Sequence, residues 1–140
     1  MIMKILIING PNLNLLGVRE PDVYGNQSFE NYFEQLKLRF PTIQLEYFQS
    51  NVEGEIINHL HFAMQNHDAV VLNPGGYAHT SVAIRDALSS IKIPVIEVHI
   101  SNVFAREGYR QIMLTGSASS GCITGFGLKG YELAIASLIN

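Results

Sequence analysis

A carboxylate and an imidazole stand two positions apart in the segment VIEVHIS, at Glu97 and His99. If this apolar, β-branched segment forms a strand, both side chains point to the same face of the sheet. A carboxylate beside an imidazole fixes the tautomer of the ring and stabilises its protonated form, which prepares a proton donor. The pair can therefore act as a general acid, or it can be a buried polar pair without chemistry.

Other polar side chains stand where apolar segments of the chain stop. They are Asn9 and Asn12, Gln49 to Asn51, Asn73 to Gly76, and Ser101 directly after VIEVHI. We expect Ser101 to open a helix, whose free backbone N–H groups would accept an anion such as a carboxylate. His79 follows the turn NPGGY at the mouth of the same region. Any one of these residues can be polar only because the end of a strand is exposed to solvent. Their convergence from several segments indicates a ligand-binding site.

The segment PNLNLLGVREPDVYG (11–25) follows the first apolar run, where a glycine-rich phosphate loop often lies. This loop is long and sets Arg19 five residues before Tyr24. The spacing alone leaves two interpretations open. The loop can be exposed with an ordinary salt-bridging arginine, or the two side chains can form a functional pair.

Short β-branched runs alternate with amphipathic helical periodicity along the chain, which predicts the elements that position these residues. Predicted strands lie in the segments 4–10, 43–50, 69–76, 94–100 and 121–124, the third of them stopped by Pro74 and two glycines. Predicted helices cover 29–40, 53–66, 84–91, 104–112 and 131–138. This alternation predicts an α/β fold, a flavodoxin-like doubly wound five-stranded parallel sheet in the order 2-1-3-4-5. We expect a single domain over 1–140, with its ligand beyond the carboxyl ends of the strands.

Composition excludes several classes of function. A net charge of −3 without a Lys/Arg run argues against nucleic acid or an anionic membrane as the partner. The single Cys122 excludes an internal disulfide framework and fits a reducing compartment. No apolar run approaches the roughly 20 residues that a membrane span needs. These observations predict a cytoplasmic protein.

Neither a metal nor a cofactor is predicted. His59 and His61 lie two apart on a predicted helix and diverge, and the sequence contains no CxxC or HExxH motif. The segment GFGLKG (125–130) matches the glycine pattern of dinucleotide-binding folds, but that pattern belongs in the first β-α unit. Because no strand can follow it here, we interpret its glycines as places where the backbone crowds against the last helix.

Four blocks in order resemble the type II 3-dehydroquinate dehydratases: NGPNLNLLGVREPDVYG, SNVEGEIINHL, NPGGYAHTSVAIRDAL and EVHISNVFAREGYR. The resemblance runs over nearly the whole chain. It implies a hydro-lyase of the shikimate pathway, which leads to chorismate and the aromatic amino acids. Such an enzyme converts 3-dehydroquinate to 3-dehydroshikimate by anti elimination of water, without Schiff base, metal or cofactor. It also implies a flavodoxin-like fold and a homododecamer built from trimers. Val52, Gly76 and Ala78 depart from the family pattern but remove no catalytic group.

The resemblance also implies an answer for the loop. The reaction removes a proton beside a ketone, and a phenol with a reference pKa of about 10 is a poor base at neutral pH. A nearby guanidinium favours the phenolate. Tyr24 is therefore the expected base, and Arg19 is its expected activator.

The remaining roles are carried over by position. Asn12 resembles the residue that holds a water against the enolate oxygen, and His99, oriented by Glu97, resembles the general acid. Asp86 resembles a residue that reaches the site of a neighbouring subunit, and the role of Arg106 stays open. The residues that match substrate-binding positions are Asn73, His79, the Ile100–Ser101 backbone with the Ser101 side chain, and Arg110.

Three other classes of function fit the sequence less well. A flavodoxin-like module would hold FMN or a phosphate on the first loop, and a protein without flavin absorbance would count against it. A receiver-type signalling domain needs acidic residues after the first strand, where the sequence has NGPN. A lysine-based dehydratase is disfavoured because only Lys129 is placed near the correct edge of the sheet.

Overall fold

The computed structural model describes residues 2–18, 22 and 26–139. Its five strands are β1 (Lys4–Asn9), β2 (Gln44–Gln49), β3 (Ala69–Asn73), β4 (Val95–His99) and β5 (Gly121–Thr124). All neighbouring strands pair in parallel, in the order β2-β1-β3-β4-β5. The predicted fold class and strand order are therefore confirmed.

Helices of the described residues cover both faces of this sheet. They are α1 (Phe29–Arg39), α2 (Glu53–Asn66), α3 (Val82–Ser90) and α4 (Lys129–Leu138). Ser28 and Ser81 begin α1 and α3 by accepting hydrogen bonds from the backbone of Asn31 and Ile84, as N-caps do. None of the described helices is long and apolar enough to cross a membrane.

The core is split into two layers by the alternation of side chains along the strands. Ile5 and Ile7 of β1 lie in the cluster that also holds residues of α1 and α4, including Phe29 and Tyr131. Leu6 and Ile8 point the other way, into the cluster formed with α2 and α3. β1 and β3 are therefore buried on both faces, which explains their nearly continuous apolar sequence.

The third strand ends at Asn73, directly before Pro74, as predicted, because Pro74 cannot donate to the ladder. Gly75–His79 then forms a 3-10 helix. One predicted element was wrong. The predicted helix over 104–112 is two 3-10 helices, Val103–Ala105 and Gly108–Gln111. Its apolar residues Phe104, Tyr109 and Ile112 are exposed, so no buried face supports a continuous α-helix.

The three glycines of GFGLKG have different surroundings, since a Cβ on Gly127 would meet nothing within 4 Å. Gly125 has a φ of +96°, and a Cβ at this position would lie 3.0 Å from the Cβ of Asn102. A Cβ on Gly130, in the first turn of α4, would lie 3.0 Å from Cγ1 of Val98. Crowding between α4 and the sheet therefore accounts for Gly130, as the sequence indicated. The same interpretation was wrong for Gly125, which faces Asn102, and for Gly127, whose φ of +62° favours glycine without any close neighbour.

Candidate active site

A polar cleft of about 100 Å³ lies at the carboxyl ends of β1, β3 and β4, which is the edge predicted for the site. Asn12 enters from the loop after β1, Asn73 from the end of β3 and His99 from the end of β4. The other lining residues are Pro11, Leu13, Gly75, Gly76, Ile100, Ser101, Val103, Arg106 and Arg110. Six of the candidate residues thus meet at one cleft, together with Arg106.

Glu97 and His99 point to the same face of β4 and form the expected pair. Nε2 of His99 lies 2.7 Å from Oε2 of Glu97, and the carboxylate is completely buried. The Glu97 carboxylate accepts a hydrogen bond from the Nε2–H of His99. This contact leaves Nδ1 of His99 as the ring nitrogen that can serve a ligand in the cleft.

The second oxygen of Glu97 is also engaged, by a residue that sequence reasoning missed. The hydroxyl of Thr115 donates to Oε1 of Glu97 at 2.6 Å, and Thr115 is itself fully buried. Nothing in the run TGSASSG marks Thr115 as a partner of a residue on β4. The buried carboxylate therefore receives one donor on each oxygen, as a buried charge requires.

His79 is held neutral next to this pair. Its Nδ1–H donates to the carbonyl of Ile112 at 2.8 Å, and its ring centroid lies 6.0 Å from that of His99. Burial is the main cause that lowers the pKa of His79 below its usual 6.5, with the neighbouring His99 and Arg110 adding to the effect. His79 is therefore suited to accept a hydrogen bond through Nε2, although it does not line the cleft itself.

Asn73 is fixed by a buried hydrogen-bond network behind the cleft. Its Nδ2 donates to the hydroxyl of Tyr131 at 2.9 Å, and that hydroxyl donates to Oδ1 of Asn9 at 2.7 Å. Oδ1 of Asn73 accepts from the backbone N–H of Gly75 at 3.1 Å. Tyr131 was predicted only as part of a helix face. The signal that could have found its role is that a buried tyrosine hydroxyl needs a hydrogen-bond partner.

Asn12 is held in a left-handed backbone conformation, with a φ of 70°. Its backbone N–H donates to Oδ1 of Asn51 at 3.0 Å, and Gln49 donates to the same oxygen at 3.1 Å. The Tyr77 hydroxyl in turn donates to the carbonyl of Asn51 at 3.0 Å. Asparagine adopts this region more readily than most residues, and the hydrogen bond to Asn51 fixes the Asn12 backbone at the edge of the cleft.

Two arginines place positive charge at the mouth of the cleft. Arg106 donates to the hydroxyl of Ser101 at 3.2 Å. Arg110 donates to Glu107, and this hydrogen bond is the main cause that lowers the pKa of Glu107. The expectation that Ser101 caps a helix was wrong, because Asn102 is the N-cap and accepts from the backbone of Phe104. The Ser101 hydroxyl therefore does not cap a helix; it lines the cleft, where it accepts from Arg106.

Three candidate residues are not seen at the cleft, two of them because the structure does not describe them. Arg19 and Tyr24 lie outside the described residues, so their predicted pairing stays a prediction. Asp86 is exposed on α3 and does not line the cleft of its own chain. Of the departures from the family pattern, Gly76 lines the cleft, and a Cβ there would meet nothing within 4 Å. The alanine of the family pattern would therefore meet no steric conflict at this position.

The donor atoms of Glu97, His99 and Cys122 lie within 4.8 Å of one another. Cys122 pairs with Glu97 across β4 and β5. Desolvation, with a contribution from the charge of Glu97, raises the pKa of the Cys122 thiol to about 11. Both oxygens of Glu97 already accept hydrogen bonds. The group therefore favours a neutral thiol beside the pair over a thiolate that binds a metal.

Comparison with known proteins places this chain in a family. The model of the family Dehydroquinase class II matches residues 3–139. A 3-dehydroquinate dehydratase of Clostridium botulinum (strain Loch Maree / Type A3) is 51% identical over 139 residues, which are 98% of this chain and 95% of the relative. A 3-dehydroquinate dehydratase of Aliarcobacter butzleri (strain RM4018) is 48% identical over 98% of this chain and 85% of its own.

Solved structures agree with the sequence comparison. The type II dehydroquinase from Butyrivibrio crossotus DSM 2876 superposes with a TM-score of 0.94 at 49% identity and covers 97% of both chains. The type II dehydroquinase from Propionibacterium acnes superposes with a TM-score of 0.94 at 40% identity, over 99% of this chain and 97% of its own. On the matched family model and these relatives, the chain belongs to the class II dehydroquinase family.

Proposed function

We propose that this chain catalyses the dehydration of 3-dehydroquinate to 3-dehydroshikimate in the shikimate pathway. The observation that carries the proposal is the buried Glu97–His99 pair, joined at 2.7 Å at the end of β4 beside a polar cleft. An elimination of water needs a proton donor for the leaving hydroxyl, and this pair supplies one. Membership of the class II dehydroquinase family supports the same reaction.

His99 acts as the general acid in this proposal. Its Nε2–H stays bonded to Glu97, which orients the ring, and the acid form carries its second proton on Nδ1. The proton on Nδ1 passes to the hydroxyl that leaves, and the C–O bond breaks to release water. Glu97 does not change its protonation in this step, since it already accepts from both His99 and Thr115.

Tyr24, activated by Arg19, acts as the base. The phenolate removes a proton from the carbon beside the ketone, and the electron pair moves onto the ketone oxygen as an enolate. Asn12 stabilises that oxygen through a bound water, and its backbone, held by the hydrogen bond to Asn51, supports a fixed role. Collapse of the enolate forms the new C=C bond as the hydroxyl leaves. Base and acid act on opposite faces of the ring, which gives anti elimination.

Substrate binding uses the polar wall of the cleft. The carboxylate of 3-dehydroquinate is bound by the backbone of Ile100 and Ser101 and by the Ser101 hydroxyl. Asn73 keeps one amide N–H after its bond to Tyr131 and offers it to the substrate. Arg110 supplies positive charge near the anion, and neutral His79 orders a substrate hydroxyl.

The proposal also includes the assembly. Asp86 is exposed on α3 and can reach a neighbouring subunit, so we propose that trimers complete one another's sites and build a dodecamer. The single thiol of Cys122 fits a cytoplasmic location, as the sequence indicated.

The test is to mix purified protein with 3-dehydroquinate and to follow the ultraviolet absorbance of the conjugated enone product. We expect His99→Asn to lower turnover by about 100-fold or more, as the loss of a general acid does. His61→Asn removes the same ring from the exposed surface of α2 and should match the wild type. Failure of the wild type to form the enone would overturn the function. A fully active His99→Asn would overturn the assignment of the acid.

Two controls separate this mechanism from its alternatives. Borohydride added with substrate should leave no covalent adduct in the mass spectrum, whereas an adduct on Lys129 would show a Schiff-base mechanism. Visible absorbance of a bound flavin in the purified protein would instead favour an FMN-binding module.

A further inference from the structure

We propose that Thr115 is a positioning residue for the general acid, and that its hydroxyl holds Glu97 in the orientation that aligns His99. The proposal rests on the function proposed above. It adds Thr115, a residue that does not line the cleft and that influences the reaction only through its hydrogen bond to Glu97.

A chain of buried hydrogen bonds carries the inference. Thr115 Oγ1 donates to Oε1 of Glu97 at 2.6 Å, and His99 Nε2 lies 2.7 Å from Oε2 of the same carboxylate. Glu97 and Thr115 are both 0% exposed, so water does not compete for these oxygens. If the threonine hydroxyl were absent, Oε1 would be a buried charged acceptor without its partner. The carboxylate would then turn toward another donor and release the imidazole from its orientation.

Thr115 is itself anchored on two sides. Its backbone N–H and that of Leu114 donate to the carbonyl of Ala78, at 3.3 and 2.9 Å. Its carbonyl accepts from the hydroxyl of Ser119 at 3.0 Å. Ala78 directly precedes His79, whose ring lies beside His99. Thr115 therefore connects the backbone at Ala78, next to His79, to the Glu97 carboxylate that orients His99.

The next residue leaves the space that this arrangement needs. A Cβ on Gly116 would lie 3.3 Å from Oε2 of Glu97, which is the oxygen that contacts His99. A side chain there would press on the carboxylate from the side of the imidazole. Thr115 donates to Oε1 of Glu97, and the absence of a side chain at Gly116 leaves space beside Oε2. Both residues therefore support the same orientation of the carboxylate.

Matched variants separate the hydroxyl from the volume of the side chain. Thr115→Val is nearly isosteric and should lower kcat about 10-fold or more with little change in KM, because it removes a hydrogen bond to a charged group. Thr115→Ser and Thr115→Ala both lose the methyl group and differ only in the hydroxyl. Thr115→Ser should keep near wild-type kcat, and Thr115→Ala should not. This second comparison decides the question even if Thr115→Val folds poorly. Thr42→Val makes the same change in an exposed turn before β2 and serves as the control.

Two readouts distinguish positioning from a structural role. In a Glu97→Ala background, Thr115→Val should cause no further loss of kcat, because the effect passes through Glu97. The nitrogen-15 NMR spectrum of the wild type should show a hydrogen-bonded Nε2–H on His99, and Thr115→Val should shift or remove that signal. The NMR result does not depend on the reaction, so it tests the proposal even if the chain fails to dehydrate 3-dehydroquinate. Three results would each overturn the proposal. They are a wild-type kcat in Thr115→Val, a loss of kcat on Thr115→Val that is as large in the Glu97→Ala background as in the wild type, and an unchanged His99 Nε2–H signal in Thr115→Val.

Discussion

Removing one oxygen atom from Tyr131 should weaken both the fold and substrate binding. The Tyr131 side chain is completely buried, and its hydroxyl joins Asn9 to Asn73 across the carboxyl ends of β1 and β3. Burial raises the pKa of Tyr131 far above its usual value, so the hydroxyl stays protonated in this network. Tyr131→Phe keeps the ring in its edge-on contact with Phe29, 4.8 Å between centroids. The change is therefore confined to the hydrogen bonds.

The expected cost follows from the two groups that lose their partner. Oδ1 of Asn9 loses its donor, and Nδ2 of Asn73 loses its acceptor. Each buried polar group left unpaired costs about 1–3 kcal/mol, so for two such groups we expect a loss of about 2–6 kcal/mol in the free energy of unfolding. Because Asn73 lines the cleft, its freed amide should also raise KM more than it lowers kcat.

Urea unfolding at one fixed protein concentration measures the first effect, since oligomers unfold in a concentration-dependent way. Tyr32→Phe is the matched control. The Tyr32 hydroxyl is also buried and near the Glu132 backbone, but it makes no hydrogen bond of normal geometry within the described residues. Its removal should be neutral or stabilising. Equal stabilities of Tyr131→Phe and the wild type, or equal losses in the two variants, would refute this account of the network.

Three further predictions concern the base, the assembly and pH. Tyr24→Phe should lower kcat by about 100-fold or more while substrate still binds, and Arg19→Ala should lower kcat to a similar degree. A kcat of Tyr24→Phe above about a tenth of the wild-type value would contradict the assignment of the base. Light scattering should show an oligomer far larger than a dimer, and Asp86→Ala should lower activity; a fully active monomer would make Asp86 an ordinary surface carboxylate. The His79 ring should titrate below pH 6.5 by NMR, since burial lowers its pKa. Folding then favours the neutral ring, so its contribution to stability is present above pH 6.5 and is lost as pH falls through the folded-state pKa. A midpoint above that value would contradict this reasoning.

Some of the site was accessible from the sequence because it depends on local geometry. A strand places residues two apart on one face, so VIEVHIS was enough to predict that Glu97 and His99 meet. The regular alternation of strands and helices predicted a parallel sheet, and parallel strands bring their carboxyl ends to one edge. The convergence of Asn12, Asn73 and Ser101 followed from that rule.

Sequence reasoning failed where short polar segments have no repeating pattern. The stretch 103–112 forms two 3-10 helices, and Asn102 caps the first of them in place of Ser101. Serine and asparagine are both good caps, and only the path of the backbone after β4 decides between them.

The partners of the polar groups were decided by the tertiary structure alone. Thr115 lies 18 residues from Glu97, and Tyr131 lies 122 residues from Asn9, yet each pair is joined by a buried hydrogen bond. No periodicity links such positions, because the folding of the whole chain sets their distance. The sequence by itself determined which residues reach the edge of the sheet and which faces they share. Only packing of the loop 113–119 and helix α4 against that edge determined which donors hold them, since a buried polar group must pair with whatever the fold brings beside it.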